Sequence, residues 1–475
     1  ARTGLSLSNF IAYKYCGPSR ASLLTGRLPG HGISEQMWSA AEAAGYNANL
    51  TMLPARLKQL GYATHAIGKW HCGFYSREFL PTSRGFDSYV GYLTGMVDHY
   101  TEQAGDTCAS TGPVVGTDMW LDGDNAVGLN GTDYADIIYT SAAVAIIERQ
   151  AKANAQHVSA KPLFLYLALQ NIHGPDQAPS SYLDAYDVSI WGTRRMKDAM
   201  ASVADESIAN VTAALDSVSM ANDTLVVIMS DNGGPIQEPS GLASNGNNYP
   251  LRGGKYSLYE GGVRVVGMIR YPRLLSHRAG MSYDGLIHVS DVYATLIRIA
   301  GGDPSDSGEG RVPVDGIDVW SALANGEPSP RVELLLGMGF EGAGSYRNAK
   351  SGRKIIVGHQ SVGFEYVGAE FPNSTTPSTI WPPARVCLPY CLYDLREDPT
   401  EDTDLAPNDE GNAMLERYNV LVAELSAPNS DIPHAAHQTD NAGCETMLAS
   451  GGWWRPWRPG PKRDEAESLE SHVRV

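Results

Sequence analysis

Apolar and polar segments alternate regularly along the first two thirds of the chain. Two nearly continuous apolar runs, at 162–169 and 224–229, have the length and composition of strands that are buried on both faces of a parallel sheet. Shorter apolar runs predict further strands at 9–13, 62–67 and 263–269. Helical spacing predicts helices at 16–26, 53–61, 141–153, 193–217 and 291–300. This alternation predicts a three-layer α/β architecture.

The pattern changes at 325–330, where Asn-Gly-Glu-Pro-Ser-Pro predicts a linker. Short strand patterns and one helix follow, at 333–336, 354–357, 391–395 and about 414–425. We therefore expect a large α/β domain over 1–325, a smaller α+β domain over 331–457 and a charged, disordered tail over 458–475. The polar, glycine-rich stretch 98–133 predicts an insertion within the large domain.

Composition restricts the partners of this chain. Its 475 residues are 43% hydrophobic, which is enough for a substantial core. The 36 Lys and Arg against 53 Asp and Glu give a net charge of −17, which argues against nucleic acids and anionic membranes as partners. The sequence has no apolar run long enough to span a bilayer. Any anionic ligand therefore requires a local pocket of cations.

The stretch 16–27 reads Cys-Gly-Pro-Ser-Arg-Ala-Ser-Leu-Leu-Thr-Gly-Arg and predicts a short helix. Pro18 suits the first turn, and Gly26 can end the helix. Cys16 then lies at the helix N-terminus, where free N–H groups and the helix dipole favour an anion. Taken in isolation, Cys16 is better explained as a structural cysteine before a core helix, because most cysteines are not catalytic.

Several polar residues come directly after predicted strands. Lys69 and His71 are two residues apart, so an extended backbone would place both on one side. His173 follows the apolar run 162–169, and Lys255 lies in a glycine-rich loop. Short motifs of this kind are weak signals, and a solvated lysine or a structural histidine is an alternative for each.

Asp231 and Asn232 follow the second apolar run, in Ser-Asp-Asn-Gly-Gly. A carboxylate and an amide oxygen at the carboxyl end of a strand suit a hard divalent cation. The same residues are common in turns, so the motif alone leaves both interpretations open.

The full string from Cys16 to Arg27 resembles the signature of the type I sulfatases, and Gly-Lys-Trp-His resembles their second signature. Within that family the chain is most similar to the arylsulfatase B (N-acetylgalactosamine-4-sulfatase) group. The shared stretches are 68–71, 162–170, 250–253, 257–264, 315–320 and 453–457. The resemblance covers nearly the whole chain. It implies an alkaline-phosphatase-like fold, with 1–325 as the catalytic domain, and hydrolysis of a sulfate ester.

The resemblance also implies the cofactors and the roles of individual residues. Cys16 would be oxidised to formylglycine by the formylglycine-generating enzyme, and a calcium ion would be bound. The catalytic residues would be Cys16 as nucleophile precursor, Arg20 and His71. The residues that bind the sulfate group would be Lys69, His173 and Lys255. The calcium ligands would be the modified Cys16, Asp231 and Asn232.

One departure from the family concerns the N-terminus. Family members carry an Asp-Asp pair on their first strand, upstream of the signature cysteine, and both residues bind the metal. Only fifteen residues precede Cys16, and they contain no such pair. The expectation is therefore an incomplete N-terminus, a missing first strand and a chain that is a poor enzyme until the pair is restored.

The cysteines and possible glycosylation sites bear on localisation. Cys387 and Cys391 could bridge a tight turn or be unrelated thiols, and Cys72, Cys108 and Cys444 have no obvious partners. Asn-x-Ser/Thr sequons begin at Asn49, Asn130, Asn210, Asn222 and Asn373. Together with the resemblance they favour a glycoprotein of the secretory route, either extracellular or lysosomal.

Three functional hypotheses follow. The leading one is a sulfatase that acts on an aryl sulfate or a sulfated glycan, such as N-acetylgalactosamine 4-sulfate. The second is a phosphoester or phosphonate hydrolase of the same superfamily, which would show a Ser or Thr nucleophile or a second metal cluster. The third is a catalytically inactive glycan-binding relative, which the absent Asp pair would favour.

Overall fold

The computed structural model describes residues 3–122, 124–125, 133–156, 160–188, 190, 192–236, 246–306, 312–339, 342–360, 367–368, 379–380, 385–426 and 439–458. The strands are β1 (Leu5–Leu7), β2 (Phe10–Ile11), β3 (Ala63–Gly68), β4 (Ser88–Gly91), β5 (Gln103–Cys108), β6 (Gly112–Thr117), β7 (Trp120–Leu121), β8 (Asp124–Asn125), β9 (Leu163–Ala168), β10 (Val226–Met229), β11 (Gly267–Arg270), β12 (Ser282–Tyr283), β13 (Ile287–His288), β14 (Glu333–Met338), β15 (Ala343–Asn348), β16 (Arg353–His359), β17 (Val367–Gly368), β18 (Thr379–Ile380) and β19 (Val386–Asp394). The helices are α1 (Cys16–Thr25), α2 (Leu53–Gln59), α3 (Ala135–Ala155), α4 (Ser180–Leu183), α5 (Gly192–Ser217), α6 (Glu260–Val263), α7 (Pro272–Leu275), α8 (Val289–Ile299), α9 (Trp320–Asn325), α10 (Asp409–Ser426) and α11 (Asn441–Ala449).

Two sheets form the centre of the N-terminal part. One has the strand order β8-β7-β4-β3-β9, with β3 parallel to both β4 and β9. The other has the order β10-β11-β1-β12, with β11 antiparallel to both of its neighbours. Helices α3 and α5 supply apolar side chains that pack with those of β9 and β10. The predicted α/β class is confirmed.

The strands β9 and β10 differ from the sequence prediction in their burial. Their apolar side chains are mostly half-buried instead of buried on both faces. Each is an edge strand of its sheet as described, and an edge strand has one open side. The expectation of a missing first strand stays a prediction.

The predicted strand at 263–269 is wrong over its first half. Glu260–Val263 forms the short helix α6, and β11 begins only at Gly267. The reason is the Gly261-Gly262 pair, because a Cβ on either residue would overlap backbone oxygens of the neighbouring loop. Without side chains, this turn packs directly against that loop.

The C-terminal sheet has the order β14-β15-β16-β19 and is antiparallel throughout. Its three predicted strands and the helix α10 are present, but the more polar strand β15 was not predicted. Apolar residues of α10, such as Met414 and Tyr418, pack on Leu334, Ile355 and Leu392 of the sheet. The division of the chain into domains 1–325 and 331–457 stays a prediction.

The predicted insertion at 98–133 contains the β5–β6 hairpin, while residues 123 and 126–132 lie outside the described part. The hairpin packs against the C-terminal segment 439–458. A disulfide joins Cys108 to Cys444, and the buried indole of Trp454 donates to Ala104 O at 3.0 Å. The long separation of Cys108 and Cys444 explains why no pairing was predicted for them.

The other cysteines fall into two groups. Cys387 and Cys391 form a disulfide, whereas Cys16 and Cys72 are buried thiols. Of the predicted disordered tail, Arg458 is ordered and bonds to Asp440, and residues 459–475 lie outside the described part. Among the helices that the structure describes, none combines the length and apolar character needed to cross a membrane.

Candidate active site

Helix α1 begins at Cys16, as the sequence predicts, and both of its ends are fixed by local bonds. Gly26 has a left-handed φ of 74° and donates its N–H to Ser22 O at 2.8 Å. Glycine adopts this conformation without strain. The hydroxyl of Ser19, in the first turn of the helix, accepts the N–H of Tyr13 in the preceding segment at 2.8 Å. Cys16 is therefore held firmly at the helix N-terminus.

The Cys16 thiol is buried in a positively charged environment. Its Sγ lies 3.2 Å from His71 Nδ1 and 3.5 Å from Met37 Sδ. Burial alone would raise the pKa of this thiol, but Lys69 and Lys255 oppose that effect. Together with His71 they hold the pKa of Cys16 well below its ordinary value. The pocket thus stabilises negative charge at the Cys16 position.

Lys69 and His71 reach this pocket by a different route from the predicted one. The backbone is not extended at His71, which has a φ of 53°. The His71 N–H donates to Leu93 O at 3.1 Å, which holds the turn. A Cβ on Gly95 would lie 2.7 Å from His71 Cε1, so the imidazole packs directly on Gly95. Backbone strain at a non-glycine residue is a feature of functional sites.

His173 and Lys255 lie next to each other on the other side of the pocket. Lys255 Nζ is 3.1 Å from His173 Nε2, and His173 Nδ1 is 2.9 Å from Gly174 O. The Nδ1 atom therefore donates, and Nε2 accepts from the ammonium group. Burial and the neighbouring Lys255 hold the pKa of His173 well below its ordinary value, so its imidazole is neutral.

Asp231 follows β10 and pairs with Arg20 of α1. Arg20 donates to Asp231 Oδ2 from Nε at 2.9 Å and from Nη2 at 2.8 Å. It also donates from Nη1 to Lys69 O and to the Tyr166 hydroxyl, both at 3.1 Å. Although burial raises the pKa of Asp231, Arg20 and Lys69 lower it to about 2. Arg20 thereby ties α1 to the ends of β3 and β10.

Three buried polar atoms of the site have no hydrogen-bond partner, namely Lys69 Nζ, His71 Nε2 and Asn232 Oδ1. Buried polar groups are nearly always paired, so each of these marks a place for a ligand. The charges near Cys16 are also unbalanced, with Arg20, Lys69 and Lys255 against Asp231. The site therefore suits an anion.

The fit of a calcium ion depends on the oxygens near Asp231. The unpaired Oδ1 of Asn232 and the carboxylate of Asp231 are oxygen donors of the type that calcium prefers. Within the described residues, no group of three or more His, Cys, Asp and Glu side chains is placed to hold a metal ion. The donor chemistry fits calcium, and the number of ligands lies below its usual six to eight.

The structure brings together the eight residues that the sequence singled out, which are Cys16, Arg20, Lys69, His71, His173, Asp231, Asn232 and Lys255. Asn248 was missed. Its side chain accepts the Gly234 N–H at 2.9 Å and donates to Gly234 O at 2.7 Å and to Gly253 O at 3.1 Å. It therefore joins the loop of Asp231 to the loop of Lys255. Asn248 lies in the stretch Asn-Gly-Asn-Asn-Tyr-Pro at 245–250, which is ordinary turn chemistry, so the sequence held no signal for this role.

Comparison with known proteins identifies the family. The model of the family described as Sulfatase matches residues 1–302, and the chain belongs to the sulfatase family. Arylsulfatase J of Mus musculus is 32% identical over 479 residues, which span 96% of this chain and 75% of that protein. N-acetylgalactosamine-6-sulfatase of Homo sapiens is 30% identical over 342 residues, which span 69% of this chain and 60% of that protein.

A solved structure supports the same conclusion about the fold. The crystal structure of PsFucS1 sulfatase from Pseudoalteromonas sp. has a TM-score of 0.66 at 23% identity, covering 91% of this chain and 85% of that one. The predicted alkaline-phosphatase-like fold of the sulfatases is thus confirmed. The family and its named members are sulfuric ester hydrolases, so hydrolysis of sulfate esters is the family activity.

Proposed function

We propose that this chain hydrolyses sulfate esters in the pocket around Cys16. The observation that carries the proposal is the unpaired, buried ammonium group of Lys69 beside Cys16 at the N-terminus of α1. A buried cation without a partner is costly unless an anion binds there. A sulfate group at this position would meet the reactive residue and the positive charge together.

Cys16 is proposed to be converted to formylglycine by the formylglycine-generating enzyme. As its hydrate, formylglycine would supply one hydroxyl that attacks the sulfur and displaces the alcohol. Loss of the proton from its second hydroxyl would re-form the aldehyde and release sulfate. His71 Nδ1 lies 3.2 Å from Cys16 Sγ, so the imidazole is close enough to take a proton from the group that replaces the thiol. The lowered pKa of His71, caused mainly by burial, keeps it in the neutral form that accepts a proton.

Lys69, Lys255 and His173 are proposed to bind the sulfate oxygens. The two ammonium groups oppose the negative charge that grows on these oxygens and on the leaving group in the transition state. The neutral His173 accepts from Lys255 at 3.1 Å, which orients the ammonium group toward the pocket. These groups are fixed before the substrate arrives, so little reorganisation is needed during the reaction.

The proposed calcium ligands are Asp231, Asn232 and the modified Cys16. A bound calcium ion would withdraw electron density from a sulfate oxygen and favour ionisation of the nucleophile. Arg20 holds the Asp231 carboxylate through two bonds of 2.8 and 2.9 Å, and so fixes its orientation. The low pKa of Asp231 keeps this carboxylate ionised and available.

The proposed substrates are an aryl sulfate or a sulfated glycan such as N-acetylgalactosamine 4-sulfate. The name of the human relative, N-acetylgalactosamine-6-sulfatase, supports a sulfated amino sugar without fixing the position of the sulfate. The similarity to the arylsulfatase B group stays a prediction. The Cys108–Cys444 disulfide and the sequons support a secretory-route protein, extracellular or lysosomal.

The two alternative functions receive less support. A phosphonate hydrolase would have a Ser or Thr as nucleophile, whereas this position holds Cys16 in the complete sulfatase signature. An inactive glycan-binding relative could also use the unpaired Lys69, but it would have no need for the complete signature around Cys16 or for the His71 imidazole 3.2 Å from Cys16 Sγ.

The test is an assay of protein produced together with the formylglycine-generating enzyme. Peptide mass spectrometry should show loss of the Cys16 thiol and gain of an aldehyde. With calcium present, an aryl sulfate should be hydrolysed faster than the matching aryl phosphate and phosphonate ester. Converted protein that prefers the phosphorus esters would contradict the proposal, and so would converted protein that carries the upstream Asp pair and hydrolyses none of the three.

A further inference from the structure

Glu401 contacts both α6 in the N-terminal part of the chain and the strand β16 of the C-terminal sheet. It is fully buried and has a left-handed φ of 56°. Its Oε2 accepts the backbone N–H of Glu260, the first residue of α6, at 2.6 Å. Its Oε1 lies 2.8 Å from Nζ of Lys354 on β16, which is also 3.0 Å from Glu260 Oε1. Glu401 thus connects the start of α6 to the C-terminal sheet.

These side chains belong to one buried cluster of acidic and basic groups, in which burial raises the pKa of Glu401 to about 7. Arg347 on β15 completes it, with Nη1 at 3.1 Å from Glu260 Oε2. Two carboxylates, of Glu260 and Glu401, face two cations, of Lys354 and Arg347, and all four side chains are buried. Loss of one partner would leave a buried charge unpaired, so the geometry of the cluster is strongly constrained.

The next residue, Asp402, makes a second connection. Its Oδ1 lies 2.9 Å from Nη2 of the buried Arg252, whose guanidinium group stacks 5.5 Å from the centre of the Tyr259 ring. Arg385 donates to the backbone carbonyl groups of both Glu401 and Asp402, which fixes this turn. The Glu401–Asp402 pair therefore holds the chain at positions 252 and 260, on both sides of the 253–259 loop.

That loop carries Lys255, and its backbone is locked to α6 and to the loop of Asp231. The Gly261 N–H donates to Arg252 O at 2.7 Å, and the Gly233 N–H donates to Gly262 O at 2.9 Å. A Cβ on Gly233 would overlap Gly261 O, so these backbones touch directly. A displacement of α6 would therefore move both ligand-bearing loops.

We propose that Glu401 and Asp402 are positioning residues that set the Lys255 loop and the Asp231–Asn232 loop for sulfate binding. The inference rests on the proposed function, since it assumes that these loops bind the sulfate group and the metal ion. Neither residue touches the substrate. They act through Glu260 and Arg252, because the positions of these two residues fix both ends of the loop that carries Lys255.

The experiment compares Glu401→Ala with a control at a matched buried ion pair. Arg331 donates to Asp291 from Nε at 2.7 Å, both side chains are buried, and within the described residues their other side-chain hydrogen bonds run to the backbone of Asp315, Ile317 and His288. Arg331→Met therefore removes a comparable ion pair elsewhere. Three quantities are measured for each protein: hydrogen exchange of peptides covering 229–236 and 248–262, affinity for inorganic sulfate by calorimetry, and kcat and KM for an aryl sulfate.

We expect Glu401→Ala to increase hydrogen exchange in both loops and to weaken sulfate affinity by about tenfold or more, with a matching rise in KM. Arg331→Met should lower thermal stability. Its hydrogen exchange in the two loops and its sulfate affinity should stay within twofold of those of the protein without substitutions. Glu401→Gln retains the acceptor for the Glu260 N–H, so its effects should be smaller than those of Glu401→Ala.

Unchanged loop exchange in Glu401→Ala, or equal changes in both variants, would overturn the inference. If Glu401→Ala does not fold, Asp402→Asn serves instead, since Asp402 is largely exposed and pairs with Arg252. It should weaken sulfate affinity in the same direction, and an unchanged affinity and exchange would overturn the inference. If the protein without substitutions binds no sulfate, the proposed function is refuted. The hydrogen-exchange measurement would still decide whether Glu401 orders the loops.

Discussion

The pocket around Cys16 and the cluster around Lys354 both contain buried charged side chains, but the two sites differ in whether those charges have partners. In the cluster, Lys354 lies 2.8 and 3.0 Å from two carboxylates, and Arg347 balances the second of them. In the pocket, the equally buried Lys69 has no hydrogen-bond partner for its ammonium group. Lys69 and Lys354 are both buried, so burial alone does not explain the difference.

Pairing separates a structural role from a ligand-binding role. In the ligand-free protein, a buried charge with an ionic partner lowers the free energy of unfolding only a little. A buried charge without a partner lowers it more. A bound anion would pair with Lys69 and remove this destabilisation. The comparison predicts that substitutions in the pocket change activity without lowering stability. Substitutions in the cluster should lower stability, and those that release α6 should also weaken sulfate binding through the two ligand-bearing loops.

The largest effect is expected for Cys16→Ala. Removing the nucleophile should reduce kcat for an aryl sulfate on the order of 10⁴-fold or more, because the remaining groups only bind and orient the substrate. The midpoint of thermal unfolding should change little. Substantial turnover by Cys16→Ala, with the purity of the preparation confirmed by mass spectrometry, would remove Cys16 from the mechanism.

The second largest effect is expected for Lys69→Met. The loss of one cation facing the sulfate oxygens should lower kcat/KM by about 10²–10³-fold. The free energy of unfolding should stay the same or rise, since an unpaired buried charge has been replaced by an apolar side chain. A clear loss of stability in denaturant titration would show that Lys69 has a structural partner and would break the comparison.

The matching substitution in the cluster is Lys354→Met. It leaves two carboxylates facing a single cation, so the free energy of unfolding should fall by about 3–5 kcal/mol. Arg417→Met is the control, because its ion pair with Glu333 in the same sheet is partly exposed. This control should cost at most about 1 kcal/mol in denaturant titration. Equal losses in the two variants would contradict a special role for the buried cluster.

Much of the site could be predicted because its signals are local. The helix α1, with Cys16 at its start and Gly26 at its end, follows from the sequence within twelve residues. Lys69, His173 and Asp231 each follow a strand with a clear apolar pattern, and the ends of such strands meet at one edge. The sequence could place these residues near one another without knowledge of the exact sheet order.

The remaining features depend on contacts between distant segments. Glu401 bonds to Glu260 across 141 positions, and Cys108 pairs with Cys444 across 336. Neither residue pair has a local pattern that distinguishes it from other charged residues or cysteines. The helix α6 was missed for a related reason, because its Gly261-Gly262 pair adopts this shape only against the packed loop that it touches.

The smallest predicted effect concerns the pH dependence of sulfate binding. Burial lowers the pKa of Lys69 from its ordinary value to about 8. Lys69 is therefore charged below pH 8 and loses its proton above it. Sulfate favours the charged form, so its affinity should be constant below pH 8 and should fall above it, by at most about tenfold per pH unit.

Lys69→Arg provides the control for this effect, because a guanidinium group stays protonated throughout the range. The sulfate affinity of Lys69→Arg, measured by calorimetry between pH 7 and 9.5, should change less with pH than that of the protein without substitutions. His71 and His173 have lowered pKa values and are neutral over this range, so they add no competing change. An identical pH dependence in both proteins would show that a group other than Lys69 titrates, and would contradict the prediction.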